Sequence, residues 1–245
     1  MSTATKSQEP NAVQRLFNDK AASWPAKYED NGPLRHRLHA VGQLITQRLS
    51  RPAAILDLGC GTGNLAFHLS RQGYDVTACD IAEQMIEEGQ RAFAGAPIRW
   101  LRLSANWQRL PLTSAAFEAV VATSVFEYLH DPDAVLGECN RVLKPGGWLI
   151  FTAPDVRNRR RKLEKFLRPL AVRLARSAAF KLIPAAQRYL IYLSVSRQRL
   201  TPGQWREMAE RQGFSAALDT TADTTGGRAP ECGKYMLLLQ FQKQR

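Results

Sequence analysis

Between Ala53 and Thr152 the chain alternates short apolar runs with longer amphipathic stretches. The apolar runs predict strands over 53–58, 75–79, 97–102, 117–123 and 147–152, each too short for a buried helix. Between them, apolar positions recur at helical spacing over 64–72, 82–94 and 133–143. Strand and helix in turn give βαβ units, hence a doubly wound, mainly parallel α/β sheet. Upstream, 11–50 reads as helices broken near Trp24-Pro25 and Asn31-Gly32-Pro33. The second of these runs from Leu34 to Leu49 on a stripe of Leu38, Val41, Leu44, Ile45 and Leu49. Leu143-Lys144-Pro145-Gly146-Gly147 has Pro and Gly in the order of a type II turn. Near the C-terminus a helix from Thr201-Pro202 to Gln212 and strands near 214–220 and 234–242 bring the sheet to seven strands. The polar stretch 1–10 reads as a disordered tail, and 11–245 as one domain.

The rhythm fails at 155–200. This stretch holds thirteen Lys and Arg against Asp155 and Glu164, nearly the whole net charge of +12. Leu163, Phe166, Leu167, Leu170 and Leu174 recur there at helical spacing, so the segment is amphipathic as well as basic. A charge of that size favours an anionic partner: nucleic acid, an acidic lipid surface or a phosphorylated substrate. The four cysteines, Cys60, Cys79, Cys139 and Cys232, form no CxxC pair and no zinc-ligand spacing. They read as reduced thiols of a cytoplasmic protein, and no metal is expected. No apolar run reaches the length of a membrane span, so the protein reads as soluble or peripheral to a membrane surface.

The first strand ends in Ile55-Leu56-Asp57-Leu58-Gly59-Cys60-Gly61-Thr62-Gly63, and a helix begins at Asn64. Glycines at this turn allow positive φ and let a ligand lie against the main chain. The dinucleotide fingerprint would need its third glycine at Asn64, and Asp57 would repel a pyrophosphate. A carboxylate there suits a cationic amino or sulfonium group instead. Asp57, Asp80, Asn106 and Ser124 all fall at carboxyl ends of strands, where such sheets bind ligands.

The run Leu56–Gly63 resembles motif I of the class I S-adenosylmethionine-dependent methyltransferases, and the resemblance continues in order to about residue 152. It implies S-adenosylmethionine as cofactor, cradled by Asp57, Gly59, Cys60, Gly61 and Gly63. In that family the acidic residue closing the second strand, here Asp80, accepts from both ribose hydroxyls, and Ile81 packs on the adenine. Asn106-Trp107 stands where the family has Asp-Ala; an amide oxygen still accepts from the adenine amino group, and Trp107 offers its backbone N–H and ring. Ser124 matches the position beside the methionyl part, and Tyr28 is a candidate for the methionyl carboxylate. Among small-molecule members the chain resembles the ubiquinone/menaquinone-biosynthesis type. There the N-terminal segment and the insertion, here 11–50 and 155–200, fold over cofactor and acceptor. Trp24 belongs either to this lid or to the core.

This resemblance implies methyl transfer, with oxygen the favoured atom, to a small or lipid-like acceptor presented as an anion or at a membrane. Glu127, Tyr128 and His130 follow the fourth strand, where many members place a Glu-His pair, and are the candidates for base or positioner. His68 reads as structural, and His36 and His39, beside Arg35 and Arg37, as a solvated face. Two alternatives stay open: an RNA methyltransferase gripping phosphates with Arg157–Lys162, and a non-catalytic cofactor-binding partner protein. Thr123-Ser124-Val125-Phe126 is not the Asn-Pro-Pro-Tyr type of signature, which argues against amino methylation of nucleic-acid bases.

Overall fold

The computed structural model describes residues 11–30, 32, 34–175, 184–217 and 236–245. Strands β1 (Ala54–Leu58), β2 (Asp75–Asp80), β3 (Ile98–Arg102), β4 (Phe117–Ala122) and β5 (Leu143–Pro154) run parallel, while β6 (Phe214–Ala216) and β7 (Met236–Lys243) pair antiparallel. The sheet order is β3-β2-β1-β4-β5-β7-β6. Chain order reverses between β1 and β4, which opens a crevice at their carboxyl ends. This is the seven-stranded, Rossmann-like sheet expected from the pattern.

Side chains alternate across each strand, so each sheet face has its own core. Leu56, Leu58, Val120, Leu149 and Phe151 pack with α5 (Pro132–Val142) and α8 (Pro202–Arg211). Ile55, Val76, Ala119, Val121 and Ile150 pack with α2 (Arg35–Arg48) and α3 (Asn64–Arg71). His68 of α3 bonds Gln72 and sits where a Cβ on Gly42 of α2 would strike its ring, so it serves the helix contact. The remaining helices are α1 (Ala12–Asn18), α4 (Glu83–Ala92), α6 (Arg159–Ala175) and α7 (Pro184–Val195). Single-turn 3-10 helices at Ala21–Ser23 and Pro25–Tyr28 join α1 to α2.

The structure adds to the sequence reading in two places here. β5 begins at Leu143, before the expected start at 147, and the Pro145-Gly146 turn lies within it as a bulge between the pairs Phe117–Leu143 and Ala119–Trp148. Gly146, at φ +77°, supplies the left-handed residue that the kink requires. The second is α6, which turns its apolar stripe outward. Leu163, Phe166, Leu167 and Leu170 are 56%, 81%, 38% and 53% exposed. Residues 1–10, part of the insertion (176–183), Cys232 and the ends of the last two expected strands lie outside the described residues.

Candidate active site

A cavity of about 740 Å³ opens at the carboxyl ends of β1, β2 and β4. Its floor is the glycine loop. The amides of Gly59 and Cys60 both donate to Cys79 O of β2, at 2.7 and 3.0 Å, and so fix the loop to the next strand. Gly61 N donates to Asp80 Oδ2 and Ala82 N to Oδ1, each at 2.8 Å. Each carboxylate oxygen keeps acceptor capacity for a further donor, so Asp80 is preoriented rather than consumed by these bonds. Burial raises its pKa, against the bonds from the Ala82, Gly61 and Ile81 amides. Gly61 adopts φ +56°, and a Cβ there would lie 3.3 Å from Trp24 Nε1. Cys60 also lines the cavity; burial, with Asp80 and Asp57 nearby, pushes its thiol pKa well up, so it stays protonated.

Two residues of the expected cradle lie elsewhere. Gly63 is the N-cap of α3 at φ +73°, and a Cβ on it would stand 2.2 Å from the Trp100 ring. It serves close packing of loop and helix and does not line the cavity. Asp57 shares the sheet face of Ile55, beneath α3, and is 1% exposed. Neither of its carboxylate oxygens has a hydrogen-bond partner. Burial, with the Asp80 charge second, pushes its pKa up to about 7. A buried carboxylate left unpaired beneath a glycine loop fits a cationic ligand group bound above it.

The N-terminal elements roof the cavity. Asn11 Nδ2 donates to Ala105 O at 2.8 Å and Gln14 Nε2 to Ile81 O at 2.9 Å, which pins α1 across the strand ends. Phe17 meets Trp24 and Tyr128 edge-to-face, at 5.5 and 5.2 Å between centroids, so Trp24 belongs to the roof. Tyr28 lines the cavity, and burial pushes its hydroxyl up to about 12. Lys27 lines it too, its ammonium 3.5 Å from the Trp24 ring centroid; burial, then Lys20 and Arg37, bring its pKa down to about 8.

Arg37 is the residue that the sequence reading missed. It is buried, lines the cavity, and donates from Nη1 to Ser124 Oγ at 2.6 Å. His36 and His39 beside it are exposed as expected. The signal was helical phase, since Arg37 falls on the same face as Val41, Leu44 and Ile45. Ser124 holds φ +56°, with its amide donating to Thr152 Oγ1 at 2.8 Å. A non-glycine residue so constrained is a mark of a functional site.

Ile81, Asn106 and Trp107 line the adjoining wall. The Trp107 amide already donates to Ser104 O at 3.2 Å, so the expected free N–H is absent and only the ring is available. Tyr128 and His130 line the opposite end, with Arg197 from the chain after α7. Glu127 is not on the cavity surface. It lies buried; burial raises its pKa while Arg37, Arg199 and Arg161 lower it. Its main-chain oxygen accepts from the Arg197 and Gln198 amides at 2.6 and 3.0 Å. Glu127 therefore holds the segment after α7 through its main chain and does not line the cavity.

The sheet is Rossmann-like, with the cavity at its β1–β4 crevice. Residues 56–151 match the family model described as a methyltransferase domain. An uncharacterized methyltransferase of Mycobacterium bovis is 38% identical over 107 residues, covering 42% of this chain and 53% of that protein. A ubiquinone biosynthesis O-methyltransferase of Chromobacterium violaceum is 31% identical over 147 residues, covering 57% of this chain and 63% of that protein. The chain thus spans half to two thirds of the length of these relatives. Magnesium protoporphyrin IX methyltransferase of Synechocystis, solved with S-adenosylhomocysteine, shares the fold at a TM-score of 0.63 and 16% identity, over 95% of this chain and 98% of that one.

Proposed function

We propose that this chain is an S-adenosylmethionine-dependent methyltransferase that methylates an oxygen of a small, lipid-like acceptor. One observation carries the reading: Asp80, Gly61 and Ser124 line the same cavity as Tyr128, His130 and Arg197. Cofactor-type groups and space for an acceptor are therefore contiguous. The name of the Chromobacterium relative supports oxygen as the target and favours this reading over RNA methylation.

Bound here, the cofactor would supply an electrophilic methyl group on a sulfonium, open to in-line displacement by an acceptor oxygen. Asp80 would hold the ribose hydroxyls, Ile81 and the Trp107 ring the adenine, and the Asn106 amide its amino group. Arg37 and Tyr28 would hold the methionyl carboxylate, while the Asp57 charge favours the cationic end. The roof of α1 and Trp24 excludes water, which strengthens each of these electrostatic contacts. His130 at the rim is the group placed to receive the acceptor's proton, while Tyr128, whose hydroxyl burial keeps protonated, is placed to donate a hydrogen bond to the acceptor. Lys27, Arg37 and Arg197 make the cavity hospitable to an anionic acceptor.

The test is transfer of labelled methyl from S-adenosylmethionine to a panel of hydroxylated aromatic lipids. Label recovered as a methyl ether supports the proposal. Label on carbon or nitrogen, or cofactor binding without turnover on any acceptor, contradicts it. His130→Ala is expected to lower kcat and shift its pH profile, whereas Tyr128→Phe is expected to raise KM for the acceptor.

A further inference from the structure

Helix α6 is inside out. Its inward face carries Arg161, Glu164 and Arg168 with Ala171, while its outward face carries Leu163, Phe166, Leu167 and Leu170 at i, i+3, i+4 and i+7. Polar contacts hold it in that orientation. Glu164, 3% exposed, accepts from Arg161 Nη1 at 2.7 Å and Arg199 Nη2 at 3.4 Å through Oε2, and from the Tyr189 hydroxyl at 3.0 Å through Oε1. Arg161 Nη1 also donates to the Tyr192 hydroxyl at 2.9 Å, and Arg168 Nη2 to Ser194 O at 3.4 Å. A buried ionic cluster costs desolvation that exposure would avoid. Turning four large apolar side chains to water adds to that cost. The arrangement is favourable only where something covers the outward face, and no described residue does.

We propose that the outward face of α6 is a docking surface for an anionic lipid bilayer. Charge complementarity selects this occupant. Lys162, Lys165 and Arg173 are exposed on the same helix, and the segment 155–200 concentrates the positive charge of the chain. An apolar stripe edged by cations lies in the plane of an interface, its side chains among the acyl boundary and its ammonium and guanidinium groups among acidic headgroups. A second copy would bring like charge against like. No helix among the described residues is long and apolar enough to cross a membrane, so the contact is peripheral.

Docking also reaches the cavity. The clamp residues Arg161 and Arg199 act on Glu127 as well as Glu164. Tyr192 of α7, bonded to Arg161, lies 6.4 Å from Tyr128 between ring centroids. The helix that meets the bilayer is thereby tied to the acceptor end of the cavity, where a lipid-like molecule would enter. The surface itself stands apart from the methyl-transfer reading, and its assay needs neither cofactor nor acceptor.

The experiment is co-sedimentation of the full chain with vesicles of phosphatidylcholine alone and of phosphatidylcholine and phosphatidylglycerol in equal parts, at low and high salt. Native chain is expected in the pellet only with the anionic vesicles, more at low salt. Phe166→Asp/Leu170→Asp should weaken this by about tenfold or more. Lys162→Gln/Lys165→Gln/Arg173→Gln should weaken it at low salt and leave less salt dependence. Both variants replace exposed side chains, and an unchanged circular dichroism spectrum and thermal midpoint confirm folding. Equal pelleting with neutral vesicles, no pelleting with either, or pelleting unaltered in the folded Phe166→Asp/Leu170→Asp chain overturns the proposal. Concentration-dependent dimerisation abolished by Phe166→Asp, without vesicle binding, also overturns it and assigns the face to a second copy.

Discussion

Asp80 holds the glycine loop and the start of α4 with its two oxygens while presenting both to the cavity. On the proposed reading, replacing it removes the ribose contact and loosens the floor together. Two hydrogen bonds to a charged group are together worth about 3 kcal/mol. Asp80→Ala should therefore weaken S-adenosylmethionine by about 100-fold in calorimetry. Gly61→Val places a branched side chain at φ +56° against Trp24, and loss of binding by a folded variant is the expected result. Asp57 carries a pH signature. Its pKa is about 7 in the folded chain against 3.8 ordinarily, so the native state holds an extra proton between those values. That contribution to stability is full below about pH 4 and is lost as pH rises through about 7. A cationic ligand favours the ionised form, so affinity should rise from pH 6 to 7 with release of a proton. Asp57→Asn should flatten that rise; an unchanged pH dependence in the variant would detach Asp57 from the ligand.

At the scale of elements, α8 is the anchor of one core. Trp205 is wholly buried between Phe126 and Phe151, at 5.7 and 5.3 Å between centroids. Trp205→Ala should cost about 3–5 kcal/mol, read as a lower denaturant midpoint. Strand and helix positions were legible because the period of apolar residues switches cleanly between two and 3.6 along 53–152. Periodicity says which residues share a face but not which face is inward. That is why the pattern gives Arg37, in phase with Val41 and Leu44, no role, and assigns no side to the leucine stripe of α6. In both cases a buried polar partner decides the orientation: Ser124 for Arg37, and Tyr189, Tyr192 and Arg199 for the inward face of α6. Glu164→Leu is expected to leave Arg161 and Arg199 unpaired and to lower the thermal midpoint, whereas Phe166→Asp is not.

Across the whole molecule, the motif residues were legible as a set because the topology gathers strand ends, whatever the loops between them do. Asp80, Ile81, Asn106, Trp107, Ser124 and Tyr28 meet around one cavity. Gly63 and Asp57 fell outside it because alternation along β1 and the first turn of α3 turn them toward packing. The acceptor end was less legible, since it is assembled from α1, the turn after β4 and the segment after α7, which are far apart in sequence. The charge of the chain is divided: Asp57 and Asp80 lie at the glycine loop, and the basic excess lies in the 155–200 stretch of the sequence.

The central claim is that this crevice holds S-adenosylmethionine through Asp80, and isothermal titration of the cofactor into the full chain and its Asp80→Ala variant tests it most directly. The account predicts one site per chain, with binding weakened by about two orders of magnitude in a variant that keeps its fold. Absence of heat with the native chain, or equal affinity in the two, would contradict it.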